Sequence, residues 1–360
     1  MNKKTIVLPF FLVLFYQVGF AQQTILTNSN LPIMVITTDI DPNTNAPIEI
    51  PDEPKILATM QLIFRPDGTR NYLTDITNDS YLNYNGRIGI ELRGSSSQIL
   101  DKKPYGFSTL LEDDDSNNNV NLLGMPSEND WVLNSLAYDP SMIRDYLSYT
   151  LAASMGNYAP RVKYIEVIVN DDYKGVYILT EKIKRDSDRV NLKKIDDEDT
   201  DFPEVTGGYI VKADKTTGGD EVAWTMPNYG GWDTDFLHHY PKTEDITSEQ
   251  ATYIETVFRD LETQTNLANA SIINGYPSII DVPSFVDYMI MAEIASNPDS
   301  YQFSTFFHKD RGGKLRAGPV WDYNLSYGND LFVFDFDRSF YDVWQFEYEN
   351  MGAKFWKDLF

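Results

Sequence analysis

Short strand-like apolar runs fill the first part of this chain, and apolar residues at helical spacing follow later. Strands are predicted over 31–38, 56–64, 87–92, 105–111, 164–169, 175–180 and 207–212, where β-branched residues lie between turn residues. Helices are predicted over 141–155, 248–266 and 282–295, and the Gly-rich and aromatic stretch 225–240 is predicted as loop. Strands first and helices later predict an α+β fold with a strand-rich N-terminal part and a more helical C-terminal part.

The helical spacing also predicts which side chains share a face. Helix 141–155 carries Ile143, Leu147, Leu151 and Met155 on one side. In helix 282–295, Phe285, Met289 and Ile290 are expected to face the interior.

The first 21 residues are typical of an export signal. Lys3 and Lys4 precede a mostly apolar run over 5–16, and cleavage is expected before Gln22. The mature chain, 22–360, is therefore expected in the periplasm, at the cell surface or in the medium. The apolar run is too short to cross a bilayer, so no membrane span is expected. The chain has no cysteine, which excludes disulfides, thiolate catalysis and cysteine-ligated zinc.

A formal charge of −24 argues against nucleic acid as a partner, because binding to a phosphate backbone requires basic surface. The P-loop, dinucleotide-binding, nucleophile-elbow and HExxH motifs are absent. His238 and His239 are adjacent, so they cannot both face one metal from a regular element. Carboxylate chemistry remains, as metal-assisted phosphoryl transfer or as a glycosidase pair.

Asp299 and Asp322 are the candidate carboxylates. Each lies in a loop at the end of a predicted element, which suits phosphoryl transfer: one aspartate orients a hydroxyl and the other holds magnesium. The alternative is local, since turns collect aspartate to cap their own backbone. The spacing by itself leaves both interpretations open.

An ordered series of short motifs identifies a family. The series resembles the spore coat protein H (CotH) kinase family from about Leu31 to the end of the chain. Its members are RGSSS (93–97), KKPYGF (102–107), NLLGMP (121–126), DWVL (130–133), MIRD (142–145), YILTEK (177–182), NPD (297–299) and WDYN (321–324).

The resemblance implies a two-lobed, atypical protein-kinase-like fold, with an N-terminal lobe over about 31–180 and a C-terminal lobe over 181–360. The family's domain is expected to continue past the helix that begins near Lys354. The implied activity is transfer of phosphate from ATP, with Mg²⁺ or Mn²⁺, to a hydroxyl of a protein acceptor.

The resemblance also implies roles for individual residues. Asp299 is the expected catalytic residue, and Asp322, Asn324 and Ser304 are the expected metal ligands. ATP is expected to contact Arg93, Ser95 and Ser96 in a phosphate-covering loop, Lys103 at the α/β-phosphates, and the segment of Glu181 at the base. Ser304 stands where a protein kinase has a second metal-binding asparagine.

Two other functions remain open at the level of sequence. One is a non-catalytic surface adhesion or interaction protein on the same scaffold. The other is a carbohydrate-active domain, suggested by the abundant aromatic residues and the paired acids.

Overall fold

The computed structural model describes residues 25–216, 220–331, 342–347 and 351–360. The predicted signal at 1–21 lies outside these ranges. In chain order the strands are β1 (Asn28–Ser29), β2 (Ile33–Thr38), β3 (Ile40–Asp41), β4 (Ala46–Pro47), β5 (Ile56–Ile63), β6 (Asn71–Tyr72), β7 (Leu82–Leu92), β8 (Tyr105–Leu110), β9 (Asp130–Asn134), β10 (Val162–Val169), β11 (Asp172–Glu181), β12 (Tyr209–Ala213), β13 (Trp224–Pro227), β14 (Asp233–Tyr240), β15 (Thr305–Lys309) and β16 (Leu315–Ala317).

The helices are α1 (Arg144–Ser154), α2 (Ser248–Asn266), α3 (Tyr276–Ile279), α4 (Val282–Ile294) and α5 (Lys354–Leu359). Short 3-10 turns lie at Leu73–Thr77, Asp79–Tyr81, Ser96–Ile99, Glu204–Thr206 and Gln345–Glu347. This mixture confirms the α+β class.

Seven strands of the first half close into a barrel in the order β10-β11-β9-β8-β7-β5-β2. Closure comes from the parallel pairing of β2 with β10, so that Met34 lies opposite Val167. Alternate residues of each strand point inward, and the interior is filled by apolar side chains such as Ile88, Phe107 and Trp131. A closed barrel has no exposed edge between these strands, which makes it a rigid support for the loops at its ends.

The second half is a five-stranded sheet, ordered β13-β14-β12-β15-β16, with helices packed against it. Phe307 of β15 lies at the centre of its core. Its ring is 5.1 Å from Phe258 of α2, 6.1 Å from Phe285 of α4 and 5.7 Å from Trp356 of α5. Aromatic side chains thus join three helices to one strand, and this strand leads from the loop of Asp299.

The sheet corrects the prediction for 225–240. Most of this segment forms β13 and β14, which pair in antiparallel register, with Trp224 opposite Phe236. Phe236 and Leu237 are fully buried. The glycines lie in the turn between the strands, and they concealed the strand pattern on either side.

Helix α1 has the predicted position, but its apolar face points outward. Ile143, Leu147 and Leu151 are 53%, 38% and 37% exposed, whereas Asp145 and Ser148 are buried. The buried polar residues are held by tertiary hydrogen bonds, such as that between Ser148 Oγ and the Tyr327 hydroxyl at 3.2 Å. Tyr149 and Ala152 on the same face are buried in the core, so these apolar contacts and the polar contacts with another loop together orient the helix, against the predicted apolar periodicity.

Helix α4 shows a smaller difference of the same kind. Phe285 is buried as predicted, but Ile290 is 42% exposed. Apolar side chains surround this helix on nearly all sides, so their spacing does not determine which face packs against the sheet. No helix within 25–216, 220–331, 342–347 or 351–360 is long and apolar enough to cross a membrane.

His308 of β15 supplies a test of this packing. Its Nδ1–H donates to the carbonyl of Gly318 at 2.9 Å, and removal of the ring from water lowers its pKa to about 4. The folded state therefore binds fewer protons than the unfolded chain, and this contribution to stability is lost as pH falls from about 6.5 toward 4.

We expect the variant His308→Asn, whose amide can still donate to Gly318, to remove this pH dependence. Between about pH 7.5 and 5, wild type should lose about 2 kcal/mol more of its unfolding free energy than the variant. Urea denaturation of both proteins at the two pH values measures the difference. Parallel pH profiles would contradict the assignment of a neutral, desolvated imidazole.

Candidate functional site

A cavity of about 770 Å³ lies where the barrel meets the five-stranded sheet. The barrel contributes the loop after β7, the end of β9 and the end of β11. The other side contributes the end of β12, the loop of Asp299 and the loop of Asp322. Seven residues predicted from the sequence line this one cavity: Arg93, Ser95, Ser96, Asp299, Ser304, Asp322 and Asn324.

The loop after β7 is shaped by Gly94. Its φ is +85°, and a Cβ at this position would lie 2.2 Å from Ser97 Oγ, so a larger residue would disturb the turn. Ser95 and Ser96 are exposed at the start of a 3-10 turn. The Tyr138 hydroxyl donates to the Ser96 carbonyl at 2.9 Å and holds the loop over the cavity.

The loop of Asp322 is held by backbone hydrogen bonds. The Asp322 N–H donates to the Tyr149 hydroxyl at 3.2 Å, and the Tyr323 N–H donates to Asp145 Oδ1 at 2.8 Å. Asp322 itself has φ +60°, a region that non-glycine residues rarely occupy. Such strain persists where the surroundings impose it, and both anchors come from helix α1.

The Asp322 carboxylate is partly removed from water. Burial, followed by repulsion from Asp214, raises its pKa to about 6, while Arg93 and Lys215 act in the opposite direction. Its Oδ1 accepts a hydrogen bond from Asn324 Nδ2. The side chain is thus oriented toward the same cavity that Asn324 lines.

Among the cationic side chains, Arg93 has the largest electrostatic effect on the Asp322 carboxylate. Burial lowers its pKa, and the attraction of Asp322 opposes that change. The guanidinium lies over the Trp321 ring, 5.6 Å from its centroid. The cation is therefore held against one wall by an aromatic face.

Asp299 follows the C-terminal end of α4 in a tight turn. Its N–H donates to Asn297 Oδ1 at 3.4 Å, and its carbonyl accepts from the Phe303 N–H at 2.9 Å. Asn297 and Pro298 are buried, whereas Asp299 is half-buried at the cavity wall. The turn is closed by its own backbone, and Asp299 lines the cavity.

The chemistry of these donors suits a small divalent cation. Mg²⁺ prefers oxygen ligands and is commonly held by one or two carboxylates together with substrate phosphates and water. Asp322, Asn324, Ser304 and Asp299 all line this cavity and all have side-chain oxygen atoms. No group of three or more His, Asp or Glu side chains arranged for a metal is found in the part of the chain that the structure describes.

The CotH kinase protein family model matches residues 90–357, which is most of the chain. The chain belongs to the CotH kinase family. No curated protein matches it. The matched span begins in β7 and includes every loop that lines the cavity.

Two residues expected at the ATP site of this CotH kinase family protein lie outside the cavity lining. Lys103 Nζ donates to the carbonyl of Gln98 at 2.6 Å, so the lysine braces the loop from behind. Glu181 is completely buried and accepts from the Arg161 backbone N–H and from Arg161 Nη1, both at 2.9 Å. Both side chains make their hydrogen bonds to other groups of the protein, outside the cavity.

Other charged residues, not anticipated from the sequence, do line the cavity: Lys182, Lys212, Asp214 and Lys215. Lys182 is exposed in the cavity and makes no side-chain hydrogen bond or ion pair with any of the described residues. Lys212 Nζ, in contrast, contacts Asp220 at 2.8 Å and Asp214 at 3.5 Å. The sequence did contain one signal for Lys182. Successive side chains of a strand point to opposite faces, so Lys182 is expected to point away from the barrel interior that Glu181 faces.

We expect Glu181→Ala to reduce the unfolding free energy by about 2–3 kcal/mol, because the buried Arg189 side chain, whose Nε lies 4.0 Å from Glu181 Oε1, loses its counter-charge and the Tyr158 hydroxyl loses its acceptor. Glu181→Gln retains an acceptor and should cost less. Chemical denaturation of both variants gives the comparison. Unchanged stability combined with lost nucleotide affinity would restore the nucleotide-contact role predicted for Glu181.

Proposed function

We propose that this CotH kinase family protein is an exported, ATP-dependent kinase that phosphorylates a serine or threonine hydroxyl of a protein acceptor with Mg²⁺ or Mn²⁺. The observation that supports it most is a single cavity lined by Asp299, Asp322 and cationic side chains from both halves of the molecule. A phosphoryl-transfer site needs such a combination of a base, a metal-binding carboxylate and positive charge.

The reaction assigned to this cavity is in-line displacement at the γ-phosphorus. The acceptor oxygen forms a bond to phosphorus, the bond to the β,γ-bridging oxygen breaks, and ADP leaves. Asp299 orients the acceptor hydroxyl and takes its proton. Arg93 and Lys182 offset the charge of the phosphates, and the backbone N–H groups of the loop over 94–97 approach them closely.

Bound Mg²⁺ would neutralise charge on the β- and γ-phosphate oxygens, with Asp322, Asn324 and Ser304 as its protein ligands. Asn324 has a second task in the protein itself. Its amide donates to Asp322 Oδ1 and fixes the orientation of that carboxylate.

We expect Asp322→Asn to abolish metal-dependent ATP binding, because it removes the carboxylate charge that draws the cation. Isothermal titration of ATP into both proteins, with and without Mg²⁺ or Mn²⁺, measures this. Wild-type protein that is folded but binds no ATP would support the alternative, a non-catalytic surface interaction protein on a kinase-like scaffold.

Asp299→Asn should separate binding from chemistry. ATP affinity should be preserved, while transfer of labelled γ-phosphate to protein should fall by about 10²–10⁴-fold, the usual contribution of a general base. Lost ATP binding, or undiminished transfer, would remove Asp299 from this role.

Lys182→Ala should weaken ATP binding by about tenfold or more, since a hydrogen bond between charged groups contributes roughly 1.5–3 kcal/mol. Lys103→Ala is the comparison and should have a smaller effect, because Lys103 acts on the site only through the loop carbonyl of Gln98. The same titrations measure both variants. A larger loss in Lys103→Ala would favour the original prediction from the sequence.

A further inference from the structure

The chain immediately after β11 uses its carbonyl groups for internal hydrogen bonds. The carbonyl of Lys182 accepts from Arg189 Nη1 at 2.8 Å, and that of Lys184 accepts from the Val190 N–H at 3.2 Å. The carbonyl between them, on Ile183, accepts from His239 Nε2 at 2.8 Å. A ligand at this end of the cavity would have to share each of these acceptors with a donor already in place.

His239 offers an acceptor without such competition. A carbonyl can only accept, so Nε2 must carry the proton in its bond to Ile183. In a neutral imidazole the other nitrogen, Nδ1, then has a free lone pair. Removal of the ring from water lowers the pKa of His239 to about 3, and Lys242, Lys212 and Lys182 add to this effect, so the ring stays neutral.

The position of the ring makes this lone pair available to a ligand. His239 lines the cavity. Its Nδ1 makes no hydrogen bond to any described residue and keeps some contact with solvent. The tautomer is therefore fixed on the protein side by Nε2, and Nδ1 remains on the solvent side.

The neighbouring surface suits a flat aromatic ring. The Phe306 ring meets the His239 ring edge-on, with centroids 5.2 Å apart. Val132 and Ile183 also line this end and are nearly fully buried. Apolar walls with one fixed polar atom are typical of a site that recognises a planar heterocycle by its edge.

We propose that His239 selects the nucleobase, with Nδ1 accepting a hydrogen bond from the 6-amino group of adenine. A 6-oxo purine presents a second acceptor to Nδ1 and is disfavoured. This inference rests on the proposed kinase function and deepens it, because it assigns base recognition to a side chain of β14 rather than to the main chain after β11.

The test compares four ligands in the presence of Mg²⁺: ATP, purine riboside triphosphate, inosine triphosphate and inorganic tripolyphosphate. Purine riboside triphosphate lacks the 6-amino group, inosine triphosphate replaces it by oxygen, and tripolyphosphate has no base. In wild type, ATP should bind about 3–10-fold more tightly than purine riboside triphosphate, as one uncompeted hydrogen bond predicts. Inosine triphosphate should bind no better than purine riboside triphosphate.

Two substitutions separate the ring nitrogens. His239→Gln can place its amide nitrogen near the Nε2 position and keep the bond to Ile183, but it lacks an acceptor at Nδ1. The preference for ATP over purine riboside triphosphate should fall to about one. His239→Asn places an amide oxygen near Nδ1 and should keep most of the preference.

His238→Gln is the matched control, since the His238 ring packs on Trp224 at 5.5 Å and does not line the cavity. Its base preference should equal that of wild type. Should the His239 variants fail to fold, wild-type protein with ¹⁵N-labelled histidine supplies the answer, because the chain has three histidines. The His239 Nδ1 resonance should shift with ATP and shift much less with purine riboside triphosphate.

The outcomes test base selection by His239 separately from the proposed kinase function. If neither ATP nor tripolyphosphate binds wild type, the proposed function fails and base selection fails with it. If both bind but wild type shows no preference for ATP, or His239→Gln retains that preference with an unshifted Nδ1 resonance, base selection by His239 is overturned while the phosphate site stands.

Discussion

The two hydrogen bonds of the Asp145 carboxylate join the parts of the molecule on which the cavity depends. Oδ2 accepts from Asn134 Nδ2 at the end of β9, and Oδ1 accepts from the Tyr323 N–H beside Asp322. Asp145 is 2% exposed. One buried acid on helix α1 therefore ties the barrel to the loop of the second sheet, and its loss would remove one of the two anchors of that loop.

That arrangement has an electrostatic consequence. Burial, then the proximity of Asp322, raises the pKa of Asp145 to about 7, and burial, then Asp214, raises that of Asp322 to about 6. Carboxylates held close together in a poorly solvated site gain from a cation nearby. Arg93 supplies part of that charge, and Lys182 lies in the same cavity. The same positive charge attracts a phosphate chain, so the cations that stabilise the ionised carboxylates are also those proposed to bind the phosphates of ATP.

Much of the fold could be predicted from local patterns. Helix α2 covers the predicted residues, and strands β2, β5 and β8 agree with the prediction to within two residues, because β-branched runs and apolar spacing act over short distances. The exposed side of α1 and the strands hidden in 225–240 could not be predicted in the same way. Their orientation depends on partners far away in sequence, such as Tyr327 for Ser148 and Phe236 for Trp224.

The family, the α+β class and the loops of Arg93, Asp299 and Asp322 could be identified from the amino-acid sequence, because their motifs are contiguous and can be read residue by residue. Which cations and polar atoms reach the cavity depends on the folded arrangement. Lys103 turns to Gln98 and Glu181 turns to Arg161, while Lys182 and His239 line the cavity. The physical reason is that side-chain direction at an element's end depends on competing hydrogen-bond partners across the fold, and those partners are distant in sequence.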